Sequence, residues 1–281
     1  MSADAIVYLN GAFLPIGEAK VSVLDRGFIY GDGVYEVIPV YGRKPFRMPH
    51  HLARLQRSLD GIRLANPHGD HEWTALVEGI VERQPFDDQA VYLQVTRGVA
   101  KRDHAFPQGV APTVFMMSNP LPTPTAEQVE RGVAVVTADD NRWHRCDLKT
   151  TSLLGNVLMR QLAADAGAAE TVMFRDGFLT EASASNVLVV RGGTVVAPPK
   201  DNLILPGITY DAAGEFARAA GVPFEIRPVT REEALGADEM WLSSSTKEVL
   251  AVTTVDGRPF AGGRPGPVFK RVHAAFQAGK R

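Results

Sequence analysis

Cysteine is nearly absent: Cys146 is the only one in 281 residues. An intrachain disulfide is therefore excluded, as is a metal site built from several thiolates. No apolar run approaches the ~18 residues needed to span a membrane. The N-terminus, Met-Ser-Ala-Asp-Ala, lacks the basic region and apolar core of a signal peptide. An excess of positive charge is missing too. The formal net charge is −2, and no basic cluster marks nucleic acid or an anionic membrane as a partner. Internal repeats and low-complexity tracts are also lacking. What is present, 45% hydrophobic and 22% charged, is an ordinary globular composition. The length suits one large domain or two modest ones, and the cytoplasm is the default compartment.

Hydrophobic periodicity divides the chain into elements. Residues 5–15 predict a hairpin about Asn10-Gly11, the dipeptide that two-residue hairpin turns favour. From Gly33, Val-Tyr-Glu-Val-Ile-Pro-Val-Tyr and then Gly42-Arg-Lys-Pro-Phe-Arg predict two paired strands. Leu52, Leu55, Leu59 and Ile62 mark an amphipathic helix with Arg54 off its apolar stripe, and residues 74–83 give a second helix. Gln89–Thr96 alternates as a half-buried strand does; a polar loop over 98–107 and an apolar strand over 113–117 follow. Three prolines within residues 119–125 argue against sheet or helix and set a boundary. The expected organisation is a small α+β domain over 1–119, a linker over 120–126 and a larger domain over 127–281 that carries Lys149. That larger domain should begin with a strand over 133–137. It should continue with a buried helix carrying Leu153, Leu154, Val157, Leu158 and Leu162. Strand pairs at 171–175 with 178–180 and at 186–190 with 194–197 come next. A helix from Ile208 to about Ala220 and strands near 224–227, 239–242 and 249–255 close it.

Several of these junctions carry reactive groups. Lys149 falls between a buried strand and a helix, and a partly apolar setting there favours a neutral, nucleophilic amine of the kind a Schiff-base lysine requires. Glu181 heads Glu-Ala-Ser-Ala-Ser-Asn at a strand end. Gly207-Ile208-Thr209 opens a helix, whose free N–H groups make a natural phosphate seat. Ser244 and Ser245 add hydroxyl donors. With an arginine such as Arg54, these groups form the minimal kit for pyridoxal phosphate. Gly31-Asp-Gly33, by contrast, is no dinucleotide fingerprint, because Glu36 stands where a third glycine would be needed.

Several segments, taken together and in order, carry a resemblance. They are Asp25-Arg-Gly-Phe-Ile-Tyr-Gly-Asp-Gly-Val-Tyr-Glu-Val, Gln94-Val-Thr-Arg-Gly, Arg102-Asp-His104, Arg142-Trp-His-Arg-Cys-Asp-Leu-Lys149, Thr180-Glu181, Leu205-Pro-Gly-Ile-Thr and Ser243-Ser-Ser-Thr. The chain resembles the class IV, branched-chain-type pyridoxal-phosphate aminotransferases, and among them the D-amino acid aminotransferases most closely. The resemblance implies a two-domain α+β/α/β chain of fold type IV that binds pyridoxal 5'-phosphate and works as a homodimer with a shared active site. It implies that Lys149 forms the Schiff base and shuttles the proton, and that Glu181 faces the pyridine nitrogen. By the same resemblance Arg54, Ile208, Thr209, Ser244 and Ser245 hold the phosphate, and Leu205 packs on the ring. Tyr35, with Arg102 and His104 from the partner subunit, would trap the substrate α-carboxylate.

The implied activity moves an amino group from a D-amino acid, D-alanine foremost, to a 2-oxo acid such as 2-oxoglutarate. Alternatives of the same fold are a branched-chain L-amino acid or (R)-amine transaminase and an aminodeoxychorismate lyase. A non-catalytic scaffold is the rival of another class, and it has no chemical need for Lys149, Glu181 and Arg54 together. The sequence departs from the resemblance at Pro39, where close D-specific members can carry lysine, and more mildly at Ala184 and Ser245.

Overall fold

Asn10 and Gly11 both adopt positive φ, 46° and 98°, in the tight turn that the Asn-Gly pair predicts. Across that turn β1 (Ile6–Leu9) pairs with β2 (Ala12–Pro15) in the computed structural model, which describes residues 5–280. The one-turn α1 (Arg26–Tyr30) follows, capped by the Asp25 side chain, which accepts from Gly27 N. Next come β3 (Gly33–Tyr41), β4 (Lys44–Pro45), α2 (Met48–Gly61), α3 (Asp70–Glu82), β5 (Gln89–Thr96) and β6 (Thr113–Pro120). The six strands form an antiparallel sheet in the order β2-β1-β6-β5-β3-β4. Leu52, Leu55 and Leu59 of α2 share one core with Trp73, Val77 and Ile80 of α3 and with Ile38, Val91, Leu93 and Met116 of the sheet.

After a capping box at Thr125 and Gln128, the chain continues through α4 (Ala126–Arg131), β7 (Val133–Asp139), α5 (Leu154–Asp165), β8 (Glu170–Arg175), β9 (Phe178–Ala182), β10 (Asn186–Arg191) and β11 (Thr194–Ala197). It ends with α6 (Ile208–Ala219), β12 (Phe224–Ile226), α7 (Arg231–Leu235), β13 (Glu239–Ser244), β14 (Glu248–Val255), β15 (Arg258–Pro259) and α8 (Pro267–Gly279). These strands make a nine-stranded mixed sheet in the order β12-β11-β10-β13-β14-β7-β8-β9, with β15 on β14. No helix among the described residues is long and apolar enough to cross a membrane.

Two compact units result: residues through 121 with 148–153, and residues 122–147 with 154–280. The stretch holding Lys149 thus clusters with the first unit rather than with the larger C-terminal domain, because it pairs with β3. Tyr35 N donates to Lys149 O at 2.9 Å, Thr151 N donates to Gly33 O at 2.9 Å, and Val34 bridges Thr150.

Other expectations also need correction. Pro120 does not lie in a linker but closes β6 opposite Gln89, the last rung of the ladder tolerating a proline. Arg54, read as lying off the apolar stripe of α2, is only 4% exposed. The helix after Lys149 is not buried: Ala163 is its one buried residue, while Leu154, Val157, Leu158 and Leu162 are 72%, 57%, 56% and 45% exposed. Helical spacing identifies an apolar face without telling what covers it.

Asp25 ties the start of α1 to the sheet, accepting from the hydroxyls of Thr96 (2.8 Å) and Thr113 (2.6 Å) as well as from Gly27 N. Asp25 is 1% exposed, and the two threonines that donate to it are buried as well. Replacement of Asp25 by Ala is expected to cost about 2–4 kcal/mol, a helix cap plus buried donors left unmet. Urea unfolding of the two proteins measures it, and an unchanged midpoint would contradict the assignment.

Candidate active site

In the first unit, the pairing of residues 148–153 with β3 brings Lys149 against Tyr35. The lysine Nζ lies 4.2 Å from the Tyr35 ring centroid, and among the described residues it makes no hydrogen bond or ion pair. Tyr35 is itself stacked on Tyr92 at 5.5 Å. Helix α2 backs the lysine: Lys149 N donates to Ser58 Oγ at 3.1 Å. Leu148 packs so closely on Gly61 that a Cβ there would stand 2.3 Å from its Cδ2.

One turn of α2 separates His51 from Arg54, so both reach the same carboxylate, Glu36 of β3. Arg54 Nε and Nη2 each donate at 2.7 Å to Glu36, and His51 Nδ1 lies 2.8 Å from Glu36 Oε2. Burial by itself would raise the Glu36 carboxyl, but the Arg54 guanidinium and the His51 hydrogen bond outweigh it and hold the group well below the usual carboxylate range. Burial lowers the His51 ring below its ordinary value despite the Glu36 contact. The neutral ring therefore carries its proton on Nδ1, facing Glu36. That leaves Nε2 as a buried acceptor with no partner among the described residues.

Arg102 and His104 sit apart from this group. Both are exposed, and both lie against Tyr30, at 5.5 and 5.4 Å from its ring. Neither makes a hydrogen bond or ring contact with Tyr35 or Lys149 among the described residues.

The second unit centres on Glu181 of β9, 5% exposed. Its Oε1 accepts from Arg142 Nη1 at 2.6 Å, and its Oε2 accepts from Leu205 N at 3.0 Å and Asn186 Nδ2 at 3.1 Å. Arg142 also grips Asp140 through Nε (3.0 Å) and Nη2 (2.9 Å), and Thr180 Oγ1 donates to the same carboxylate. Burial pushes the Glu181 carboxyl up to about 7 against the opposing pull of Arg142 and Leu205 N. Asn186 has a second task, donating to Leu205 O at 2.9 Å. Its Oδ1 would lie 2.0 Å from any Cβ at Gly207, so only glycine fits where α6 begins. That helix start has no side-chain cap, and Ile208 and Thr209 are buried there, leaving N–H groups of the first turn for an anion.

At the far end of β13, Ser244 Oγ accepts from Lys247 N at 3.1 Å, Ser245 is half-buried, and the hydroxyl of Ser243 is buried without a partner among the described residues. Lys247 Nζ bonds the fully buried Glu170 at 2.9 Å, which Ser185 Oγ also reaches at 2.8 Å. Cys146, between Arg142 and Lys149 in sequence, is buried; its thiol donates to Trp143 O at 3.2 Å, and burial pushes its pKa up to about 11.

Glu36, His51, Arg142 and Asn186 are among the polar residues that the sequence reading does not assign. Glu36 and Arg142 fall inside segments that carry the resemblance, and Asn186 ends the run that Glu181 begins. Taken one unit at a time, the groups are of the kinds that pyridoxal phosphate requires: in the first unit the half-buried Lys149 amine, without a hydrogen-bond or ion-pair partner among the described residues, and in the second a buried carboxylate, an uncapped helix start and the orphaned Ser243 hydroxyl beside two more serines. No group of His, Cys, Asp and Glu suited to a metal ion occurs among the described residues.

Known proteins agree with this chemistry. Residues 33–255 match the family described as amino-transferase class IV. The D-alanine aminotransferase of Bacillus licheniformis is 39% identical over 96% of this chain and 95% of its own length. That of Staphylococcus aureus (strain N315) is 37% identical over 96% of both. In structure, the Escherichia coli branched-chain amino acid aminotransferase matches with a TM-score of 0.93 at 26% identity, covering 99% of this chain and 95% of its own. A second branched-chain amino acid aminotransferase, that of T.th. with pyridoxamine 5'-phosphate, matches with a TM-score of 0.91 at 26% identity, again over 99% and 95%. With a family match across most of its length and relatives more than a third identical from end to end, this chain belongs to the class IV aminotransferases.

Proposed function

We propose that the protein is a cytoplasmic, homodimeric pyridoxal-phosphate transaminase that moves the amino group of a D-amino acid, D-alanine foremost, to a 2-oxo acid such as 2-oxoglutarate. The observation that carries the D-specific reading is the end-to-end similarity to D-alanine aminotransferases, joined to an Arg102-x-His104 loop that presents a cationic fork at the surface.

Bound pyridoxal phosphate supplies a carbon that accepts the amino group and a ring that draws off the electrons left when the substrate Cα loses its proton. Lys149 would hold the cofactor through its amine and, once the substrate amine displaces it, would move the Cα proton. Glu181 would keep a proton at the ring nitrogen. Burial raises the Glu181 carboxyl, and positive charge at that nitrogen would draw it back to the carboxylate. Arg54 would bind the phosphate together with Ile208, Thr209, Ser244 and Ser245, while Leu205 packs on the ring face. Tyr35, Arg102 and His104 would hold the substrate α-carboxylate.

Two kinds of surface support the shared dimer. Arg102 and His104 make no contact with Tyr35 or Lys149 of their own chain, which accords with a trap completed by a second copy. The bare stripe of Leu154, Val157, Leu158 and Leu162 on α5, and the exposed Val23 (70%) and Phe28 (75%) of the first unit, are apolar faces suited to such a copy. The rival branched-chain, (R)-amine and lyase activities would use the same cofactor residues and differ at the carboxylate trap.

Donor choice tests the reading. With 2-oxoglutarate as acceptor, D-alanine should outperform L-leucine and (R)-1-phenylethylamine in kcat/KM, and a preference for either of those donors would overturn it. Replacement of Glu181 by Gln keeps the shape but removes the charge. We expect kcat to fall on the order of 100-fold, about 2.7 kcal/mol of barrier, with the cofactor still bound; an unchanged kcat would remove Glu181 from the mechanism. The shared trap is tested by mixing Arg102→Leu and Lys149→Ala proteins, the first weakened in substrate binding and the second without its amine, at subsaturating D-alanine. One site of a heterodimer then combines an intact lysine with an intact trap, so subunit exchange should restore about half a native dimer's activity per heterodimer. Heterodimers without activity would show that the trap does not cross.

A further inference from the structure

The Asp25-Arg26-Gly27 segment belongs to the motif set, yet none of the roles above uses its arginine. Arg26 is 4% exposed. Its Nε donates to Asp32 Oδ2 at 2.7 Å. The rest of its guanidinium turns to the loop that bears the substrate trap: Nη1 reaches Asp103 O at 2.5 Å and Ala105 O at 3.4 Å, and Nη2 reaches His104 O at 3.5 Å. Three successive carbonyls are thereby gathered on one planar fork.

Asp32 is braced in turn by Arg97, which donates to it through Nε (2.8 Å) and Nη2 (3.0 Å). Arg97 also donates to Ile62 O at 2.7 Å and lies 3.7 Å above the ring of Phe106, the residue that ends this stretch of loop. At its other end the loop is tied to the backbone before α1, where Arg26 N donates to Gly98 O at 2.9 Å and Ala100 N donates to Leu24 O at 3.3 Å. Surface loops are ordinarily the mobile parts of a fold. Here the backbone of an exposed loop is held from beneath by a buried charge, and the side chains of Arg102 and His104 are left uncommitted to that task.

We infer that Arg26, neutralised and oriented by Asp32, is the positioning residue of the α-carboxylate trap: it sets the backbone from which Arg102 and His104 project. This rests on the assignment of Arg102 and His104 to the substrate carboxylate. Arg26 itself touches no substrate. A lysine cannot replace it fully, since a single ammonium does not span Asp32 and three carbonyls at once.

The test compares Arg26→Gln and Arg26→Lys with the unaltered protein and with Arg102→Leu. Amide hydrogen exchange of the cofactor-free chains, the dissociation constant for pyridoxal phosphate, and kcat and KM for D-alanine and 2-oxoglutarate are measured. In Arg26→Gln we expect faster exchange confined to residues 100–107. KM for both carboxylate substrates should rise roughly 10-fold, the worth of one charged hydrogen bond, while kcat and cofactor affinity stay near their original values. Arg26→Lys, which retains a charge opposite Asp32, should fall between the two and decides the matter if the Gln variant does not fold. Exchange that spreads across the first unit together with weakened cofactor binding would make Arg26 a general structural residue and overturn the inference. Unchanged exchange and KM would do the same. If Arg102→Leu raises KM while both Arg26 variants leave it alone, only the positioning role fails; if Arg102→Leu has no effect, the carboxylate-trap assignment fails and the inference with it.

Discussion

A carboxylate removed from water must be met by donors, or it loses its charge or the fold loses its stability. Glu36, Glu170 and Glu181 are all in that position, each on a strand facing inward. Meeting their demand dictates what surrounds them. Glu36 draws His51 and Arg54 onto the inner face of α2, which fixes the roll of that helix against the sheet. Glu181 draws Arg142, Asn186 and the backbone of Leu205, and through Asn186 it also sets the place where α6 starts. Glu170 holds the 244–247 turn by way of Lys247. Buried charge is thus neutralised within each unit, and Arg54 is buried because its guanidinium answers Glu36.

A division of labour follows between backbone and side chain. Lys149 is placed by main-chain pairing with β3, so its own side chain is left for chemistry. Arg102 and His104 likewise stand on a loop whose carbonyls at Asp103, His104 and Ala105 are held by Arg26. In both places positional accuracy comes from groups that every residue possesses, and the reactive side chain is spared from holding itself in place.

Local signals carried the sequence reading as far as local physics reaches. The Asn10-Gly11 hairpin, the alternation of Gln89–Thr96 and the helix opening at Ile208 are each decided by a few neighbouring residues, and each stands as expected. Helix α3 starts four residues before position 74, since Glu72 closes back on Gly69 N and Trp73 is already buried, features hidden in a polar run. Helix α8 is not among the elements expected, although Phe269, Val272 and Phe276 recur at helical spacing. What the sequence could not show depends on distant partners. The membership of Lys149 in the first unit rests on residues 33–35, more than a hundred positions away, and the burial of Arg54 depends on Glu36 lying opposite it. Arg142 and Asn186 were visible as polar residues near a motif, but their convergence on Glu181 exists only once β9, β10 and the loop before α5 are in place.

Cys146 has a practical side. Its thiol is enclosed, engaged with the Trp143 carbonyl and held well above the range in which thiolates form. Alkylating reagents and mild oxidants act on thiolates, so burial and the raised pKa protect this thiol from both. A cysteine introduced at any exposed position becomes the sole handle for a fluorophore or spin label, with no native residue to remove first.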